Sequence, residues 1–247
     1  MNRWKLSAIH LTISFLLATS IFTILYFLWF PSPYFVAAGA SKLIMVLMGV
    51  DVGIGPLLTW IAASPRKSRK LLKLDLSIIA ALQTIAFAYG VHAIASARPV
   101  FVVAEVDRFV LVSARDLTDK DLAQGRQPKF RTRSWHGPLL VGVLPPKSDE
   151  GIDIAEKVLA GGKDLDQMPR FYQPYNEVVD KLMQRARPVT QLKNVTGGQR
   201  RQLEELQQKT HGGPLLMLPL QREDNDYTVI LSPTTRRPMT VLSINPW

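Results

Sequence analysis

Apolar residues in this chain collect into three long runs within the first 97 positions, at about Ser7 to Phe30, Val36 to Ala63 and Leu74 to Ala97. A hydrocarbon layer about 30 Å thick takes roughly 20 helical residues to cross, and each run reaches that length. Only a helix satisfies its own backbone polar groups in lipid over such a stretch. The pattern therefore predicts a three-helix transmembrane anchor over residues 1–97. Polarity rises sharply after it, which marks residues 98–247 as a separate domain.

The connecting segments carry the orientation. Arg3 and Lys5 precede the first run, and the segment from Ser64 to Lys73 holds five basic residues and no acid. The segment from Pro31 to Phe35 is uncharged. The positive-inside rule puts the N-terminus and the basic loop 64–73 in the cytoplasm, so three crossings leave residues 98–247 outside, in the periplasm of a bacterial envelope. Ala38-Gly39-Ala40 has the small-x-small form of a signal-peptidase site, but the apolar run before it is longer than the roughly 7–15 residues of a signal-peptide core, so an uncleaved anchor is expected.

Beyond Arg98 the periodicity is mixed. Pro99 to Val106 and Arg108 to Val112 are rich in β-branched residues and read as strands, as does Leu139 to Leu144. A short helical turn is expected over Arg115 to Gln124, and helices over Asp149 to Ala160, Asn176 to Arg187 with Asn176 as N-cap, and Gly198 to Thr210 with Thr196 as cap. Leu215 to Leu220, Tyr227 to Ser232 and Met239 to Ile244 are three sequential strands with short links, one of them Arg222-Glu223-Asp224-Asn225-Asp226. That order predicts an α+β exported domain with a mixed or antiparallel sheet.

Charge and cysteine content add two constraints. The formal charge is +10, of which residues 1–97 hold eight bases against two acids and residues 98–247 hold 22 against 18. Most of the excess follows from topology, and no nucleic-acid partner is needed to explain it. Cysteine is absent, so an exported domain of this chain rests on its core rather than on disulfides.

Candidate chemistry in the polar half is sparse. His136 and His211 each stand beside glycine with no second ligand at metal-binding spacing, and no metal site is expected. Gly161-Gly162-Lys163 lacks the rest of a phosphate loop, and there is no Gly-x-Ser-x-Gly elbow, so no catalytic residue, cofactor or enzymatic activity is assigned. If the segment around Lys129, Arg131 and Arg133 is extended, those three share one face, either solvated or turned to an acidic partner or headgroups. Phe171, Tyr172 and Tyr175 read either as buried aromatics or as a partner-binding patch.

The membrane half holds the more unusual residues. A lone carboxylate such as Asp51 costs about 2.5–3.5 kcal/mol within a span and needs a proton or a partner. Asp51 lies about 18 Å from the end of its helix at Ala63 and Gln83 about 13–14 Å from Leu74, so the two share a depth, where an interhelical hydrogen bond is one expectation. Gly49 and Gly53 have small-xxx-small spacing, and Gly55 and Pro56 follow. That pattern favours close helix packing, either inside the hairpin or against the membrane helix of another protein.

Taken in order, Gly49-Val50-Asp51-Val52-Gly53-Ile54-Gly55-Pro56-Leu57-Leu58-Thr59, then Pro65-Arg66-Lys67, then Ala97-Arg98-Pro99-Val100 and Val106-Asp107-Arg108-Phe109 resemble the TfpX/TfpZ type IV pilin accessory proteins. The resemblance is specific from residue 49 to 109 and extends in layout to the whole chain. It implies an inner-membrane protein that assists assembly of a type IV pilus from its cognate major pilin, with other pilus assembly components as further partners. The site candidates it marks are Gly49, Asp51, Gly53, Gly55, Pro56 and Thr59 in the membrane, to which Gln83 is added by its depth beside Asp51, and Arg98, Pro99, Asp107, Arg108 and Phe109 where the chain leaves it. Two other classes stay open: a membrane-anchored envelope enzyme, and a small transporter or channel subunit using Asp51 as an ion site.

Overall fold

In the computed structural model, which describes residues 2–64, 67–146, 148–210, 213–222 and 225–247, the chain separates into two compact units. Pro65 and Arg66 of the basic loop, His211, and Glu223-Asp224 of the charged turn lie outside the described residues. The first unit comprises Met1–Trp29 and Gly39–Ala97, and the second comprises Phe30–Ala38 and Arg98–Trp247.

The first unit is built from α1 (Arg3–Ile24), which continues through a π-helical turn to Trp29, α2 (Ala40–Met48), α3 (Gly55–Ala62) and α4 (Arg69–Ala97). Helices α2 and α3 are joined by π-helical residues Gly49–Ile54, so Ala40–Ala62 forms one continuous apolar helix. All three helical stretches are long and apolar enough to cross a membrane. The second starts at Ala40, behind a left-handed Gly39 (φ 64°), and the third begins at Arg69 within the basic run. Arg3, Trp4 and Trp60 cluster at one end of the bundle, with the Arg3 guanidinium 4.6 Å from the Trp60 ring and the two indoles 5.5 Å apart. That grouping suits a membrane–water interface.

The second unit is organised on an eight-stranded mixed sheet among the described residues. Its strands are β1 (Pro99–Ala104), β2 (Phe109–Ser113), β3 (Leu139–Val143), β4 (Tyr172–Pro174), β5 (Arg187–Pro188), β6 (Leu216–Arg222), β7 (Asn225–Leu231) and β8 (Pro238–Leu242). The order is β4-β3-β1-β2-β6-β7-β8, with β5 pairing β6 off this path. The β1–β3 and β2–β6 pairs are parallel and the rest antiparallel. Every residue of β1 is buried, which explains why Val100 to Ala104 read as an unbroken apolar run: a strand covered on both faces has no polar side.

One core gathers Phe101, Val112, Leu117, Phe130, Val141 and Tyr172. A second lies under the β6-β7-β8 meander, where Leu215, Met217, Ile230 and Leu242 meet Leu203 and Leu206 of α8 (Gly197–Lys209). Thr196 caps α8 as its sequence predicts, in a reciprocal capping box with Gln199.

Several local expectations are corrected. Lys129 to Arg133 is no strand; Pro128–Phe130 is a 3-10 turn. Arg131 is drawn to the Gly125 carbonyl at 2.7 Å and Arg133 to the Ala114 and Leu117 carbonyls, so these guanidiniums satisfy backbone acceptors instead of lining one face. The short helical turn expected over Arg115 to Gln124 is present as a 3-10 turn followed by α5 (Asp119–Ala123), each with its own capping box. Asp149 to Ala160 does form a helix, α6 (Ser148–Leu159). Asn176 caps nothing: it sits in a 3-10 turn, and the helix after it is only α7 (Val179–Met183). Val178 is pulled onto β3 there, where Gly142 leaves the space that a β-carbon would deny it, and the chain then straightens into β5.

The uncharged segment between the first two apolar helices folds with the second unit. Arg222 donates through Nη1 to the Ala37 carbonyl at 3.0 Å, and Pro31 packs where a β-carbon on Gly137 would stand. Burial, then the neighbouring Tyr175, pushes the Tyr34 phenol far above its usual range.

Candidate functional site

The polar residues of the first unit converge. Asp51 lies in the π-helical turn Gly49–Ile54 and is 8% exposed. With His10, Ser14, Gln83 and Thr84 it lines a cavity of about 360 Å³. Asp51 also borders a second recess of about 320 Å³, walled by Leu43, Leu47, Val50, Tyr89 and Gly90. A π-helical turn inserts an extra residue and rotates the side chains after it, a device that often accompanies a functional position; here it falls on the one acidic residue of the helix.

Around this cavity the neighbouring polar groups are satisfied by one another. His10 Nδ1 and Thr59 Oγ1 share a hydrogen bond of 2.6 Å, and Ser7 Oγ donates to the Pro56 carbonyl at 2.9 Å. The second bond uses a carbonyl three residues from Thr59, so α1 and α3 are tied at two successive turns. Asp51 and Gln83 differ. Both line the cavity, but among the described residues neither side chain makes a hydrogen bond or ion pair, so the interhelical bond expected between them is not formed.

The glycines divide into two kinds. A β-carbon on Gly55 would overlap the Gln83 amide, and one on Gly90 would come within 2.5 Å of Leu47, so these two glycines let helices approach. Gly49 and Gly53 have nothing within 4 Å of such a carbon. The close packing inside the bundle runs through Gly55 and Gly90, and the small-xxx-small face is left open. Pro56 and Thr59 are buried beside Gly55.

The motif residues that follow the anchor form the base of the sheet. Arg98 is buried, with its guanidinium 4.9 Å from the Trp135 ring, and its carbonyl accepts from Ala114 N at 2.9 Å. Burial, then Arg133, lowers its pKa. Pro99 opens β1. Asp107 and Arg108 form the turn between β1 and β2: Arg108 Nε donates to Asp107 at 2.9 Å, Arg108 Nη1 donates to Gln221 at 3.2 Å, and the Arg108 carbonyl accepts from Glu105 N at 2.9 Å. Phe109 is fully buried and stacks on Tyr175 at 6.3 Å. Phe171, Tyr172 and Tyr175 are all buried, so these aromatics are core.

Close to that turn lie two carboxyls, Glu105, half-buried, and Asp166, buried. Burial, reinforced by Asp166 and Asp164, pushes Glu105 up to about 7, and burial with Asp164 beside it pushes Asp166 up to about 7 as well.

Sequence reasoning overlooked His10 and Gly90. The signal for His10 was present, as an ionisable residue inside an apolar run invites a functional reading. Gly90 carried none, because a lone glycine in a long helix does not reveal which neighbour approaches it.

Comparison with known proteins bears on most of the chain. The family model of the fimbrial assembly protein FimB matches residues 1–39. The chain is 35% identical over 187 residues to the fimbrial assembly protein of Dichelobacter nodosus serogroup E1, covering 76% of this chain and 72% of the relative. The serogroup I protein of the same organism is 33% identical over 208 residues, 84% of this chain and 80% of the relative. That of serogroups C1 and C2 is 39% identical over 120 residues, 49% of this chain and 92% of the relative. No solved structure matches the chain.

Proposed function

The chain belongs to the family of fimbrial assembly proteins, and from that premise we propose that it assists assembly of type IV pili as a non-catalytic inner-membrane protein, in the manner of the TfpX/TfpZ pilin accessory proteins. Its partner is the cognate major pilin. The apolar bundle meets the pilin's membrane helix along the open Gly49 and Gly53 face and the recess bordered by Asp51, and the C-terminal unit, exported to the periplasm, engages the pilin head.

The observation that carries this reading is the state of Asp51. A buried carboxyl at membrane depth that makes no hydrogen bond or ion pair among the described residues is costly to keep. A helix from another protein that brings a donor to Asp51 and covers the glycine face removes that cost. The topology is supported by the second unit itself: Phe30–Ala38 folds with Arg98–Trp247, as required if both lie on one side of a membrane crossed by the intervening pair of helices.

The test measures pilin in sheared surface fractions beside total cellular pilin, in a deletion strain complemented with wild type or Asp51→Ala. Loss of surface pilin with an intact cellular pool places the protein at assembly or extraction, and loss of both places it at pilin stabilisation. Normal piliation in the deletion strain would refute the function; normal piliation with Asp51→Ala at wild-type protein levels would refute the membrane contact.

A further inference from the structure

Strand β6 is paired along its whole length by β7, but its other side is shared by two strands. There β2 takes Leu220 and Gln221 and β5 takes Leu216 and Met217, leaving Leu218 and Pro219 without a strand partner on that side. Pro219 has no N–H to offer one, which keeps the ladder from closing. Beside this gap lies a cavity of about 290 Å³ bordered by Val106, Asp107, Arg185, Arg187, Leu218 and Trp247. Arg187 and Trp247 also border an adjoining recess with Lys193.

The groove combines open apolar surface with uncompensated positive charge. Val106 is 56% exposed and Trp247 55%. The indole is held as a wall, with its N–H donating to Asp226 at 3.0 Å and the Arg187 guanidinium 5.6 Å from its ring. Arg185, Arg187 and Lys193 are exposed, and among the described residues none of the three pairs with a carboxylate. The acid in the lining, Asp107, is already engaged by Arg108. Three free cations around an apolar slot, at a break in a sheet, suit one chemistry: alternating acidic and bulky apolar side chains on an extended backbone.

We propose that this groove binds an extended acidic segment of a partner protein, with an apolar side chain seated between Val106 and Trp247 and a carboxylate against Arg185 and Arg187. Guanidinium forks hold carboxylates through charge-assisted bonds, and complementary charge fixes partner choice and encounter rate. Pro219 limits main-chain pairing, so recognition falls on charge and on the apolar slot rather than on strand addition alone. The inference rests on the proposed pilus reading only for the partner's identity.

The experiment titrates full-length protein in detergent micelles against two labelled hexapeptides with blocked ends, one alternating glutamate and leucine, the other lysine and leucine, by fluorescence anisotropy. The acidic peptide is expected to bind at least tenfold more tightly, to weaken as salt rises, and to lose at least tenfold in Arg185→Glu/Arg187→Glu. Trp247→Ala is expected to weaken it as well, and it carries the test if the double variant does not fold. Equal binding of both peptides, or full binding by a folded double variant, would overturn the proposal. So would competition of phosphatidylglycerol vesicles for the same residues in preference to the peptide. Surface pilin in the Asp51→Ala strain reports on the membrane contact alone, so either idea can fail without the other.

Discussion

The Gln83 side-chain amide occupies the space that a β-carbon on Gly55 would need. With no side chain at residue 55, the Gln83 amide of α4 lies directly against the α3 backbone. Leucine there should destabilise the bundle by about 1–3 kcal/mol, the usual range for overpacking, read as a lower thermal midpoint in detergent. Gly55→Ala should cost less when combined with Gln83→Ala than alone, because the second change removes the group that the first one strikes.

Gly49 and Gly53 make the opposite prediction. With no neighbour within 4 Å of an added β-carbon, Gly49→Leu or Gly53→Leu should alter stability by no more than about 0.5 kcal/mol. Surface pilin should nevertheless fall sharply in strains carrying either variant, if the open face receives a partner helix. A variant that is stable, abundant and fully piliated would show that this face is lipid-covered only.

Glu105 and Asp166 give the second unit a pH dependence. In an unfolded chain such carboxyls ionise near pH 4, whereas in the fold both are pushed up to about 7. Between those limits the folded protein retains protons that the unfolded chain has released, so the stability these two carboxyls contribute is full below about pH 4, declines as pH rises towards 7 and levels off above it. Thermal unfolding of the full chain should show this slope, and Glu105→Gln should flatten it and raise stability at pH 8 by about 1–3 kcal/mol. Arg108 and Asp107 also face Glu105 and contribute in opposite senses, which makes Glu105→Gln the cleaner variant.

Tyr172 closes the first core. Its ring meets Phe101 at 5.0 Å and Phe130 at 6.0 Å, and its hydroxyl donates to the Asp166 carbonyl. Tyr172→Phe keeps the ring contacts and removes only the donor, so the expected cost is about 1–2 kcal/mol, measured by denaturant unfolding. Tyr172→Ala, which also opens a cavity, should cost about 3–5 kcal/mol.

Length and composition determine the three apolar helices of this protein, because spanning a hydrocarbon layer requires long uncharged runs whatever the rest of the fold does. The continuous apolar stretch at β1, the β6-β7-β8 meander and the Thr196 cap are equally local, set by periodicity and turn residues within a few positions. Depth is local too: the rise of a helix puts Asp51 and Gln83 at one level. What they do at that level is tertiary, since helix rotation decides whether two polar groups bond or merely share a cavity, and which of four glycines faces a neighbour. The same holds for Arg131 and Arg133, which bond to backbone carbonyls that no sequence pattern announces. It holds for Phe30–Ala38, which belongs to the C-terminal unit although it stands 60 residues before it in the chain, and for the groove at Trp247, whose walls come from four separate segments brought together by the sheet.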